Sequence, residues 1–180
     1  MAVMTGQFGF YGKLPVRGDF VRRGLSENLV SGWHDWICRN FAYARTAVAS
    51  DWQKGWLVAP IWRFSLPPGC LSEQTVSGLV MPSVDKVGRY FPFLVCVEDD
   101  GVIPQDDAVW DQVELFCREA LSYDQEPETL LSHIQALECS VRAGEAAGLW
   151  STEGNESIPG QTLVCADLPE EEAFVKLFWA

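Results

Sequence analysis

The sequence predicts a layered α/β domain organised around a largely antiparallel sheet. Segments with strand-like and helix-like apolar spacing follow one another in the order strand, helix, several strands, two helices, strand, helix. The middle strands are joined by loops too short for the helical crossover that parallel neighbours require. A chain of 180 residues with 48% hydrophobic content fits one domain over residues 1–180, and a domain near this size buries roughly 70% of its unfolded surface.

Residues 3–11 mix apolar side chains with glycine and suit a first strand ending at a turn at Gly12. A loop through Pro15 and Gly18 follows. Leu29, Val30, Trp33, Ile37, Phe41 and Ala44 then recur at helical steps, with Ser26 as N-cap. Trp33 faces inward on this stripe, which places Trp36 at its margin, where an exposed indole would anchor a partner. The aromatic and β-branched run from Trp56 to Ser65 reads as a strand with Pro60 at an edge or bulge, closed by Pro67, Pro68 and Gly69. Thr75 to Met81 reads as the next strand, stopped by Pro82, and Tyr90 to Val97 as a buried one. Beyond the acidic turn at residues 98–101, Val109, Val113, Phe116 and Ala120 mark a helix, and Pro127 starts a second over residues 128–138. Residues 160–166 form the last strand. Pro169 opens a short final helix, with Glu170, Glu171 and Glu172 favourably placed near its N-terminus.

Net charge is −12, unevenly spread. Residues 1–63 carry eight basic and four acidic side chains, whereas residues 98–180 carry three basic and nineteen acidic. Nucleic acid is excluded as a ligand, because phosphate binding needs a concentrated basic surface. An acidic face also repels anionic lipid, and no apolar run approaches the length of a membrane span. The six cysteines, at 38, 70, 96, 117, 139 and 165, form no CxxC pair and read as free thiols of a cytoplasmic protein. Asn155, Glu156 and Ser157 match a glycosylation triplet only incidentally.

Two segments stand apart from this pattern. Gly12, Lys13, Leu14, Pro15, Gly18, Asp19 and Phe20 make one; residues 81–93, reading MPSVDKVGRYFPF, make the other. Both mix charges with proline, glycine and aromatics, a combination that costs folding energy unless the charges find partners. Together with Tyr11 before Gly12, Val21 after Phe20, Trp33, Pro60 to Phe64 and, weakly, Leu149 to Ser151 and Leu168 to Pro169, these blocks resemble the TagF (ImpM) family, an accessory component of bacterial type VI secretion systems. One departure is visible: the family pattern Trp-Asp-x-Trp is here Trp33, His34, Asp35, Trp36. The resemblance implies a three-layer sandwich, with the sheet covered by helices on both faces.

Short catalytic patterns fail on their spacing. Gly12 and Lys13 invite a phosphate loop, but Gln7 stands where its first glycine belongs and Leu14 replaces the magnesium-binding hydroxyl. Ser83 to Lys86 matches the SxxK tetrad of penicillin-recognising enzymes without its companion motifs, and reads instead as a turn in which Ser83 or Asp85 caps backbone donors. His34 and Cys38, four apart, are two ligands short of a metal centre. No cofactor and no metal is expected.

The candidate site is a polar cluster at one end of the sheet, made by Lys13, Arg17, Asp19, Phe20, Arg63, Ser83, Asp85, Arg89 and Tyr90, with Trp36 beside it. Arginine is its natural hub. Such residues serve either the fold or a partner, and their types do not separate the two. The resemblance implies a non-enzymatic, cytoplasmic, post-translational regulator, a repressor of type VI secretion, that binds a protein partner such as the forkhead-associated scaffold protein. A nucleotide-binding or hydrolytic switch and a structural subunit of the apparatus are the competing readings.

Overall fold

The computed structural model describes residues 6–179. The part of the first-strand expectation on residues 3–5 lies outside them. In chain order the elements are β1 (Gly9–Gly12), β2 (Val21–Arg23), α1 (Glu27–Ala47), a 3-10 turn (Ala49–Asp51), α2 (Trp52–Leu57), β3 (Trp62–Leu66), β4 (Thr75–Met81), β5 (Phe93–Asp99), α3 (Val109–Ser122), α4 (Pro127–Gln135), β6 (Leu149–Gly154), β7 (Pro159–Val164) and α5 (Glu172–Phe178).

The strands form one seven-stranded sheet in the order β2-β1-β5-β4-β3-β6-β7, and every neighbouring pair is antiparallel. Its two-residue period sorts the side chains between two cores. Along β5, Leu94 and Cys96 join Trp33, Ile37 and Phe41 of α1, Trp56 of α2 and Phe174 of α5. Phe93, Val95 and Val97 turn the other way, toward Trp110 and Val113 of α3 and Leu130 and Ile134 of α4. Helices therefore lie on both faces, as the three-layer expectation holds. The cover is uneven. The second core draws buried residues from β1, β4 and β5 but none from β3, β6 or β7.

Local signals were obeyed where a side chain satisfies a backbone group. Ser26 Oγ accepts from the Leu29 amide at 3.3 Å and caps α1. Pro127 occupies the first turn of α4, where its missing N–H costs nothing. The final helix starts two residues after Glu170, which instead pairs with Arg39 and Asn40 of α1.

Three elements differ from expectation. The run from Trp56 to Ser65 is not one strand: Trp56 lies in α2, and β3 begins at Trp62 after Pro60. Aromatic and β-branched residues fit either state in a short apolar run, and here tertiary packing of Trp52 and Trp56 at helical spacing decides. The strand expected from Tyr90 starts instead at Phe93, because Pro92 has no donor for the ladder; Tyr90 makes only an isolated bridge to Val84. The strands β2 and β6 have too little apolar periodicity to be read, and neighbouring strands hold them in place.

Trp36 corrects the expectation of an exposed anchor. It is 1% exposed, edge-on to Phe174 of α5 with ring centroids 5.2 Å apart, and its indole donates to the Pro169 carbonyl at 2.8 Å. The cover given by α5 and β6 widens the buried side of α1 beyond the stripe that α1 shows alone. Indole donors of Trp56, Trp62 and Trp179 likewise reach carbonyls of Ser83, Leu177 and Trp52, so the tryptophans fasten loops and termini to the core. All six cysteines are free. No helix among the described residues is long and apolar enough to cross a membrane.

Candidate functional site

The two unusual segments meet. At the end of β1, Gly12 takes a φ of +146°, and a Cβ there would stand 2.2 Å from the Pro92 carbonyl oxygen, so only glycine admits this approach of the two backbones. The contact brings Lys13 beside the loop that follows β4. Ser83 Oγ donates to the Lys13 carbonyl at 2.6 Å, and the Lys86 amide donates to the Arg17 carbonyl at 2.9 Å. The loop closes on itself through the Asp85 amide to the Arg89 carbonyl, with Gly88 at positive φ in the turn.

Asp85 is the centre of this arrangement. Its side chain is 0% exposed. Lys13 Nζ lies 3.1 Å from Oδ2, and Arg89 Nε donates to the same oxygen at 2.7 Å. The amides of Val87 and Arg89 donate to Oδ1 at 3.0 and 2.9 Å. Burial works against ionisation of this carboxyl. The Arg89 amide, Lys13, the Arg89 guanidinium and the Val87 amide together outweigh it and hold the pKa down at about 2. Arg89 reaches on to the Gly18 carbonyl, which ties the second segment to the first.

An aromatic patch adjoins these charges. Lys13 Nζ stands 4.9 Å above the Phe20 ring, and Phe20 stacks on Tyr11 with centroids 5.6 Å apart and packs edge-on against Phe91 at 4.8 Å. The Tyr11 hydroxyl lies 2.7 Å from His34 Nδ1, and Cys38 Sγ lies 3.4 Å from His34 Nε2. Burial, then the neighbouring Cys38 and Asp19, pushes the Tyr11 hydroxyl up to about 12; burial and Asp35 push the Cys38 thiol up as well. The Asp-to-His departure thus has a structural use: His34 stacks on Phe91 and holds Tyr11.

Of the sequence-selected residues, the structure gathers Lys13, Phe20, Ser83, Asp85 and Arg89. Arg17 and Asp19 stand exposed on the same loop, Arg17 paired with Glu126 at 2.6 Å and Asp19 accepting from the Phe20 amide at 2.7 Å. Tyr90 is half-buried beside them, edge-on to Trp52 at 5.6 Å. Arg63 is elsewhere. It points to the α3 face of the sheet and pairs with Asp111 at 2.6 Å, because Trp62 and Phe64, its neighbours on β3, take the α1 face. Tyr11, His34 and Phe91 belong to the cluster but were not selected as site residues; the aromatic before Gly12 and the altered Trp-His-Asp-Trp run were their only signals.

Asp85 is ionised and fully engaged, Ser83 is buried with its hydroxyl donating to a carbonyl, and Lys86 is exposed. The side chains facing solvent are Arg17, Asp19, Phe20, Lys86, Val87 and Arg89; Phe20 is 37% and Val87 68% exposed. No group of three or more potential metal ligands occurs among the described residues.

A family model described as the TagF N-terminal domain, type VI secretion system-associated, matches residues 9–137, a span that holds the whole cluster. No curated protein matches the chain. Among solved structures, the crystal structure of PA0076 from Pseudomonas aeruginosa PAO1 is similar with a TM-score of 0.85 at 28% identity, over 96% of this chain and 94% of that one.

Proposed function

The chain belongs to the type VI secretion-associated TagF family, and from that premise we propose that it is a cytoplasmic, non-enzymatic regulator that represses the apparatus after translation. It does so by holding a protein component, the forkhead-associated scaffold protein, against assembly. The observation that carries this reading is the solvent-facing rim built on the buried Asp85. Phe20, Val87 and Arg89 are exposed on loops whose backbones are fixed from beneath by Lys13, Ser83 and Asp85. An aromatic and an arginine on an immobilised loop lose little entropy on binding, and residues of these types dominate interface energetics.

Co-precipitation from cells tests it. Val87→Ala and Phe20→Ala variants are expected to lose capture of the scaffold protein while keeping their melting temperature within a few degrees of wild type. Loss of both assigns the rim to the fold alone. The purified protein is expected to show no thermal stabilisation by ATP or GTP, whereas a ligand at a hundredfold over its dissociation constant adds about 2.7 kcal/mol. A clear stabilisation replaces the regulator with a nucleotide-binding or hydrolytic switch, and co-purification with sheath or baseplate at fixed stoichiometry replaces it with a structural subunit.

A further inference from the structure

The uneven cover of the sheet leaves a groove. Beside α3, the strands β3 and β6 floor a cleft of about 560 Å³, and Ile61, Arg118 and Gly154 also line a second hollow of about 470 Å³, so the two adjoin. The floor is already set. Gln105 Nε2 donates to Ser65 Oγ at 3.0 Å and to the Leu149 carbonyl at 2.9 Å, and Thr152 Oγ1 donates to the Ile61 carbonyl at 2.6 Å. A groove whose polar floor is satisfied without a ligand is preformed, so an occupant meets little reorganisation cost.

Its two ends differ in chemistry. At the hollow, Leu57 and Val58 are 58% and 64% exposed beside Met81, Pro82 and Leu121. At the cleft, Asp106, Glu114, Glu145 and Glu153 stand against only Arg63 and Arg118. Both guanidinium groups are occupied by α3 carboxylates: Arg63 lies 2.6 Å from Asp111 and 3.6 Å from Glu114, and Arg118 lies 2.8 Å from Glu114. Among the described residues, Asp106, Glu145 and Glu153 take part in no ion pair. Their field is left facing the groove, and the half of the chain that supplies them, residues 98–180, is the strongly acidic half.

We infer that this groove docks a basic segment of a partner protein. An aliphatic residue of that segment seats against Leu57 and Val58, and its lysine or arginine side chains lie along Glu153, Glu145 and Asp106. The apolar end supplies affinity and the acidic end supplies register and attraction. The groove shares no lining residue with the Lys13, Asp85 and Arg89 cluster, so it is a second contact surface, independent of the Phe20 rim.

The test uses the full chain and a fluorescent peptide with a leucine pair followed by a lysine run, read by anisotropy at low salt. Saturable binding is expected, weakened about tenfold or more by Glu145→Lys combined with Glu153→Lys, since each reversal turns an attraction into a repulsion. Glu27→Lys combined with Glu73→Lys changes net charge equally but lies outside the groove, and should leave affinity within about twofold because screening removes distant charges. Val58→Asp, and alanines in place of the leucine pair, should each weaken binding as well. Absence of saturable binding, equal loss from the two charge-reversal pairs, or a dimer that buries the groove in sedimentation overturns the proposal.

Discussion

The chain builds two charge networks from the same residue types and uses them differently. Around Asp85, a carboxylate with no exposed surface receives two backbone amides, a lysine that is 8% exposed and an arginine. Around Arg63, a guanidinium that is 15% exposed is met by one backbone carbonyl and by two carboxylates of α3, of which Asp111 is 69% exposed. The first network is stitched into the main chain of two loops. The second joins side chains across a strand and a helix beside an open cleft. The difference teaches that a carboxylate fixed by backbone donors determines loop shape, whereas ion pairs between side chains at a surface leave shape to the secondary structure around them.

The largest predicted effect breaks the comparison if it fails. Asp85→Ala leaves Lys13 buried without its anion and should cost about 3–5 kcal/mol in urea unfolding. An equal loss from Asp111→Asn would show that the two networks carry the fold alike.

Acid titration sharpens the same contrast. Asp85 has a folded pKa depressed to about 2, so its stabilising contribution is complete above the unfolded value near 4 and disappears as pH falls through the folded one. Relative to Asp85→Asn, the wild type should lose about 2 kcal/mol of advantage between about pH 5 and pH 1. A pH-independent difference between the two proteins would contradict the ionised state of this carboxyl.

Smaller effects are expected outward from the cluster. Tyr11→Phe removes one hydrogen bond to His34 and should cost about 1 kcal/mol in thermal or urea unfolding, because a neutral hydrogen bond is worth about that much net. Asp111→Asn should cost less than about 1 kcal/mol, as exposed ion pairs do, and the cost should shrink further in high salt. A salt-insensitive loss there would move Arg63 into the structural class.

Much of the fold was legible because the physics acts locally. Ser26 caps its own helix, Pro127 tolerates only a first turn, and the bounds of Thr75 to Met81 match β4 because Pro82 ends it. The strands β2 and β6 were not legible, since partners across the sheet, not their own apolar pattern, hold them. Within the site, Lys13, Ser83, Asp85 and Arg89 could be selected because charge beside glycine and proline is costly without a partner. Arg63 and Trp36 could not be placed. Strand order decides on which face Arg63 emerges, and the packing of α5 decides whether the margin of α1 is covered; neither is written near those residues.

Hydrogen exchange of the full chain, with and without the purified forkhead-associated scaffold protein, tests the proposed interface most directly. Slowed exchange is expected in residues 13–20 and 83–91, and it should vanish with Phe20→Ala while the free protein keeps its own protection pattern. A complex that forms with those two segments unchanged would contradict the claim that the loops around Asp85 present the binding face.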